Sequence, residues 1–249
     1  MIRYLTPLIA LTSSYNLIPP LNVALLTPKE VEEKLDTIII FTPFDKGEPK
    51  YFSFDVDGKK KKVFFAAFSV TASQYLKDNI ITTSKNPKDK FTYSPKSLSK
   101  FFSLVKKEKD RGIEAEIIYI PDPDQKDISK KLLKKQGYKI ENMENFLANN
   151  PMIFCPNPTI NATDQNSNTF IPCSTDYKNL KSMVDKVQIK KKFPWSKVEK
   201  PKVMAIPLGQ FINTLNTSEE ENIRQIRVMP TPSTLEIINR MNNSQKKTN

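Results

Sequence analysis

The chain has 249 residues, 38% of them hydrophobic with 15 Phe, so it can bury a core without metal or disulfide staples and does not read as disordered. Its 39 basic against 27 acidic residues leave a net charge of +12, yet Arg occurs only at positions 3, 111, 224, 227 and 240, and readers of specific nucleic-acid sequence lean on Arg. Histidine is absent, which removes Ser-His-Asp and Cys-His nucleophilic catalysis, imidazole bases and most zinc sites, so the chain is expected to be non-enzymatic, without cofactor or metal.

Residues 1–25 hold one charge, Arg3, and a mildly apolar run over 4–11 that Thr6 and Pro7 interrupt. This segment is expected to be an export signal, with Ala24 near the cleavage point, or else a loosely packed arm. Residues 26–137 follow as a first α/β repeat. Within it, residues 35–43 read as a strand behind a polar helix. Tyr51 to Val56 alternates Phe52, Phe54 and Val56 on one face, and Asp57-Gly58 turns it into the strand at 63–68, a hairpin signal. Ser69 is the expected cap of the next helix. Residues 82–95 are Lys- and Pro-rich and read as an exposed linker.

A second pass of the same pattern occupies residues 138–241, and 242–249 read as a flexible tail. Ile117-Ile118-Tyr119-Ile120-Pro121-Asp122-Pro123 returns as Ile226-Arg227-Val228-Met229-Pro230-Thr231-Pro232, roughly 110 residues later. In both copies a β-branched strand ends at Pro-x-Pro, the middle residue suits a helix N-cap, and the second proline suits the first helical position. Gln125 stands where a capping box with Asp122 would place it. Ile128, Leu132 and Leu133 form an apolar stripe ending before Gly137, and Leu235, Ile238 and Met241 form its counterpart. At similar offsets Ser97-Leu98 with Phe101 matches Pro207-Leu208 with Phe211, and residues 35–43 match 147–156. The strand at 63–68 matches 169–172, with Ser174 as the second cap. Such ordered matches indicate a duplicated α/β (α+β) chain of two pseudo-symmetric repeats, each a small sheet flanked by helices.

Cys155 and Cys173 flank a polar stretch with no metal-site spacing, and either form a disulfide or remain as buried thiols. Lys190, Lys191 and Lys192 beside Phe193 and Trp195 make the one basic patch with aromatics, inside a second linker over 189–201. Paired carboxylates at Asp122 and Asp124 are better explained by capping than by catalysis.

The chain as a whole resembles the Tic-twenty-two-like family, the twenty-two-kilodalton component of the chloroplast inner-envelope translocon and its cyanobacterial relatives. The resemblance covers roughly residues 26 to 241. It starts with the acidic helix Leu26-Thr27-Pro28-Lys29-Glu30-Val31-Glu32-Glu33-Lys34-Leu35 and the turn Gly47-Glu48-Pro49. It continues through Ser97-Leu98 and Leu208-Gly209, Ile120-Pro121-Asp122-Pro123, and Asn150-Pro151-Met152-Ile153-Phe154. The resemblance implies apolar grooves, no catalytic residues, and a chaperone-like role in protein transport across plastid envelopes or in the cyanobacterial periplasm. Expected partners are precursor or unfolded polypeptides, translocon or outer-membrane biogenesis components, and a peripheral membrane surface, with no specific nucleic acid. Phe52, Phe54 and Phe64 are the candidate polypeptide contacts; a basic RNA-associated protein is the alternative reading.

Overall fold

A computed structural model describes residues 25–45, 48–56, 58–81, 92–186 and 200–246. The basic patch at Lys190, Lys191, Lys192 and Trp195 and nearly all of the N-terminal segment lie outside the described residues. The elements run in two rounds. The first has α1 (Pro28–Asp36), β1 (Ile39–Asp45), β2 (Glu48–Pro49), β3 (Tyr51–Val56), β4 (Lys59–Ala67), α2 (Val70–Tyr75), β5 (Thr92–Ser97), α3 (Leu98–Asp110), β6 (Glu116–Ile120) and α4 (Lys126–Lys135). The second has α5 (Met143–Asn149), β7 (Met152–Asn157), β8 (Ala162–Thr163), β9 (Thr169–Ser174), α6 (Tyr177–Asp185), β10 (Lys202–Pro207), α7 (Leu208–Thr217), α8 (Glu221–Gln225), β11 (Ile226–Met229) and α9 (Pro232–Lys246).

The two sheets repeat one another in their four main strands, and the first adds the two-residue β2. The first is ordered β5-β1-β4-β6 and the second β10-β7-β9-β11. In each, the outer strand on one side is antiparallel and the outer strand on the other is parallel. Phe41 pairs with Ala67 in one sheet, and its counterpart Phe154 pairs with Ser174 in the other. The β3–β4 hairpin, whose turn needs the positive φ of Gly58 (+73°), has a short equivalent in β8 and β9. The hairpin is therefore present in both halves, where the sequence pattern placed it in the first alone.

Two further expectations are corrected. The supposed linker before α3 ends in a strand, because residues 92–97 pair along the whole of β1. Its equivalent β10 begins at Lys202, directly after the linker over 189–201, in residues to which the sequence pattern gave no strand. The caps also shift. Asp122 accepts from the Asp124 N–H and starts a short 3-10 turn, while the Gln125 side chain reaches away to accept from the Tyr177 N–H at 3.1 Å. It forms no capping box; that motif is made by Thr27 and Glu30 on α1. Helix α6 is capped by Asp176 and not by Ser174, whereas Ser69 caps α2 as expected; Ser97 caps α3.

Strand alternation splits the core into three layers. Ile38, Ile40, Phe64, Ala66 and Phe68 point to one side of the first sheet and meet Ile153, Cys155, Cys173 and Val228 of the second, with Phe101, Phe211 and Leu215 packed between. The outer face of the first sheet carries Phe41, Phe52, Val63, Phe65 and Ala67, covered by Ala72 and Leu76 after β4 and by Ile237 of α9. The outer face of the second carries Met152, Phe154, Val203 and Ala205, covered by Leu147 of α5, Leu180 of α6 and Leu133 of α4. Each round thus sends its last helix across to the other round's sheet. Along α9 the inward positions are Thr234 and Ile237, one residue off the stripe of Leu235, Ile238 and Met241 read from sequence, and Leu235 is 45% exposed.

Candidate functional site

Two concavities flank this core. The first is an apolar groove of about 140 Å³ on the inner face of the second sheet. Its floor is Met204 and Ile206 of β10, Ile171, and the pair Cys155 and Cys173; its walls are Phe211, Thr214 and Leu215 of α7 and Ile223 of α8. The two cysteines face one another directly across β7 and β9, with Cα atoms 4.4 Å apart, and are joined by a disulfide. That separation is normal for an antiparallel pair that exchanges no backbone hydrogen bonds, where side chains come closest. Both sulfurs are buried, so the bond ties the floor of the groove together without lining it with polar atoms.

The repeat explains the apolar chemistry of the groove's floor. Ala205 opposite Phe154 matches Pro95 opposite Phe41, so Met204 and Ile206 correspond to Ser94 and Lys96. The first sheet therefore presents a hydroxyl and an ammonium where the second presents a thioether and a branched sec-butyl group. Lys96 is turned onto the Phe44 ring, 5.0 Å from its centroid. In place of the disulfide the first sheet has Thr42 opposite Ala66, and Thr42 Oγ1 is buried with no hydrogen-bond partner among the described residues.

One end of the groove is closed by the segment after α4. The Tyr138 hydroxyl donates to Gln210 Oε1 of α7, and burial pushes its pKa above the ordinary phenol value. Just before it, the Gln136 side chain donates to the Ala205 carbonyl at 2.9 Å and accepts from the Ala205 N–H at 2.8 Å.

The second concavity, about 370 Å³, lies where Pro121, Asp122 and Pro123 meet α4 and the Asn150-Pro151 turn. Tyr75 stands at its rim, 49% exposed. Burial pushes the Asp122 carboxyl above its usual range, against hydrogen bonds from the Asp124 N–H and Ser69 that act the other way. Asp122 and Asp124 have no metal partners, since the described residues hold no cluster of three or more His, Cys, Asp or Glu suited to a metal.

None of the three candidate phenylalanines lines either concavity. Phe64 is fully buried in the layer between the sheets, edge-on to Tyr51. Phe52 is buried and Phe54 half-buried in the outer layer of the first sheet, both against Phe65. Period-two alternation identified their shared strand but could not say that the face they share is covered by helices. The residues that do line the groove, Met204 and Ile206, stood between the second linker and the helix at Leu208, in residues given no strand, and alternation over 202–207 is the signal that would have found them.

No family model and no curated protein matches the sequence. Among solved structures, the chain shares its fold with Anabaena Tic22, a protein-transport protein, at TM-score 0.64 and 16% identity over 86% of this chain and 97% of that one. It also superposes on Tic22 from Plasmodium falciparum at TM-score 0.54 and 16% identity, over 86% of this chain and 98% of that one. The architecture is thus a Tic22-like fold of two pseudo-symmetric sheets.

Proposed function

We infer that this chain is a non-enzymatic, chaperone-like polypeptide-binding factor in protein transport, working at plastid envelope membranes or in a cyanobacterial periplasm. The observation that carries the reading is the end-to-end fold likeness to Anabaena Tic22, described as a protein of protein transport. The groove floored by Met204 and Ile206 adds a surface of suitable chemistry: mainly apolar and bordered by the side-chain amides of Gln136 and Gln210. Unfolded or precursor polypeptides are its partners, with translocon or outer-membrane biogenesis components as neighbours. The excess of 39 basic over 27 acidic residues supplies a screened attraction to acidic segments or anionic headgroups.

The test is suppression of aggregation of an unrelated unfolding protein, followed by light scattering at low and high salt. Suppression that survives high salt and weakens in Met204→Glu is the expected result, because the interaction is apolar. Absence of suppression at either salt, together with salt-sensitive retention of RNA, overturns the reading in favour of a nucleic-acid-associated protein.

A further inference from the structure

A sheet edge exposes backbone donors and acceptors that another strand can pair with, and proteins cover or block such edges. Among the described residues, besides the hairpin strands β3 and β8 and the two-residue β2, four strands lie at the outside of the sheets: β5, β6, β10 and β11. Helix α5 lies against β6, and α1 lies against β11, where the Val228 N–H donates to Thr37 Oγ1 at 3.1 Å. The edge strand β5 carries Pro95, which has no N–H to offer. Strand β10 has α4 and α6 packed on its outer face, but the groups on its edge are met by a side chain. At Ala205, the position equivalent to Pro95, the N–H and C=O point away from β7, and the Gln136 side chain satisfies both. A primary amide that donates to and accepts from one residue reproduces the pair of hydrogen bonds a neighbouring strand would make there.

We propose that the β10 edge is a strand-addition site for an extended segment of another polypeptide, with Gln136 as its removable plug. The inference rests on the polypeptide-binding reading and specifies how the chain is held. Side chains of the added strand alternate, so every second one continues the row of Met204 and Ile206 over the groove, and the others follow Val203 and Ala205 over the outer face. The segments framing this edge carry exposed Lys134, Lys135, Lys139, Lys200 and Lys202 against exposed Glu141. The matching partner is therefore apolar at alternate positions and acidic at its ends. Backbone pairing gives affinity that tolerates many sequences, as a factor handling diverse chains requires.

The pseudo-symmetry supplies the control. Ala205→Pro removes the outward N–H and copies the residue the other half already holds at this place, so the fold accommodates it. The probe is a fluorescent synthetic peptide of alternating valine and threonine flanked by aspartates, compared with the same peptide N-methylated at every second residue. Gln136→Ala is expected to tighten the unmethylated peptide about tenfold, the scale of two competing amide hydrogen bonds. Ala205→Pro and N-methylation each weaken it by about tenfold or more, and peptide binding slows exchange of the Ala205 amide. Equal affinity for the N-methylated peptide, or no change in Gln136→Ala, overturns the proposal. So does failure of the peptide to bind any variant. Concentration-dependent dimerisation of Gln136→Ala that Ala205→Pro abolishes also overturns it, since the occupant is then a second copy. Aggregation suppression measured on the same variants separates the two readings: if it persists while peptide pairing fails, the polypeptide-binding function stands and the edge is not its site.

Discussion

Replacing Leu133 by Ala tests the exchange of helices between the two rounds. Leu133 belongs to α4, in the first round of the sequence, yet it is fully buried among Leu147, Met152, Phe154, Leu180 and Val203, all of the second. Truncating a wholly buried Leu removes transfer energy and leaves a cavity, together costing about 3–5 kcal/mol. For a chain of 249 residues that corresponds to a fall in melting temperature of about 10 °C. The informative readout is where protection is lost. Amide exchange should accelerate first in β7 and β10, which the helix covers, while β4 and β6 of the first sheet stay protected. Leu235→Ala on α9, at a position 45% exposed, serves as the control and should change stability by no more than about 0.5 kcal/mol. A cost below about 1 kcal/mol for Leu133→Ala, or early exchange confined to β4 and β6, refutes the packing described above.

Two other outcomes follow from local chemistry. Reducing the Cys155–Cys173 bond, whose cysteines are 18 residues apart, should cost about 3 kcal/mol of stability in denaturant titrations with and without a thiol reductant. An unchanged midpoint after alkylation confirms reduction would contradict it. Glu144 bridges Lys126 and Lys130, which hold its pKa at about 2, below the ordinary 4.5. Because the folded value is depressed, this link between α4 and α5 favours folding above pH 4.5 and is lost as pH falls toward about 2. A carboxyl titration by NMR should find that low midpoint, and Lys126→Ala with Lys130→Ala should return it toward 4.5.

The duplication was legible because its landmarks are local. Pro121 and Pro123, Pro230 and Pro232, and the Ser69 cap each fix the backbone locally, within a few residues. Strand β5 was illegible for the opposite reason. Thr92 to Ser97 contains a lysine and a proline and has no apolar run; it is a strand because all six residues find partners on β1, 48 to 58 positions earlier. The stripe on α4 showed that Leu133 is buried but not against what, since periodicity specifies a face and never its cover. Gln136 gave no signal at all. Its role comes from a contact 69 positions away, and a glutamine at a helix end is ordinary until the strand beside it is known.

The crossed helices also set an order of events during synthesis. Chains emerge N-terminus first, and their domains generally fold as they appear. Here the first sheet can pair its strands early, but the face bearing Phe41, Phe52 and Phe65 lacks its cover from Ile237 until nearly the last helix has been made. Meanwhile α4 waits for a sheet not yet formed. The two rounds, alike in pattern, cannot mature one after the other; they must complete together, and a nascent chain stalled before α9 would display its own apolar surface to whatever polypeptide stands nearby.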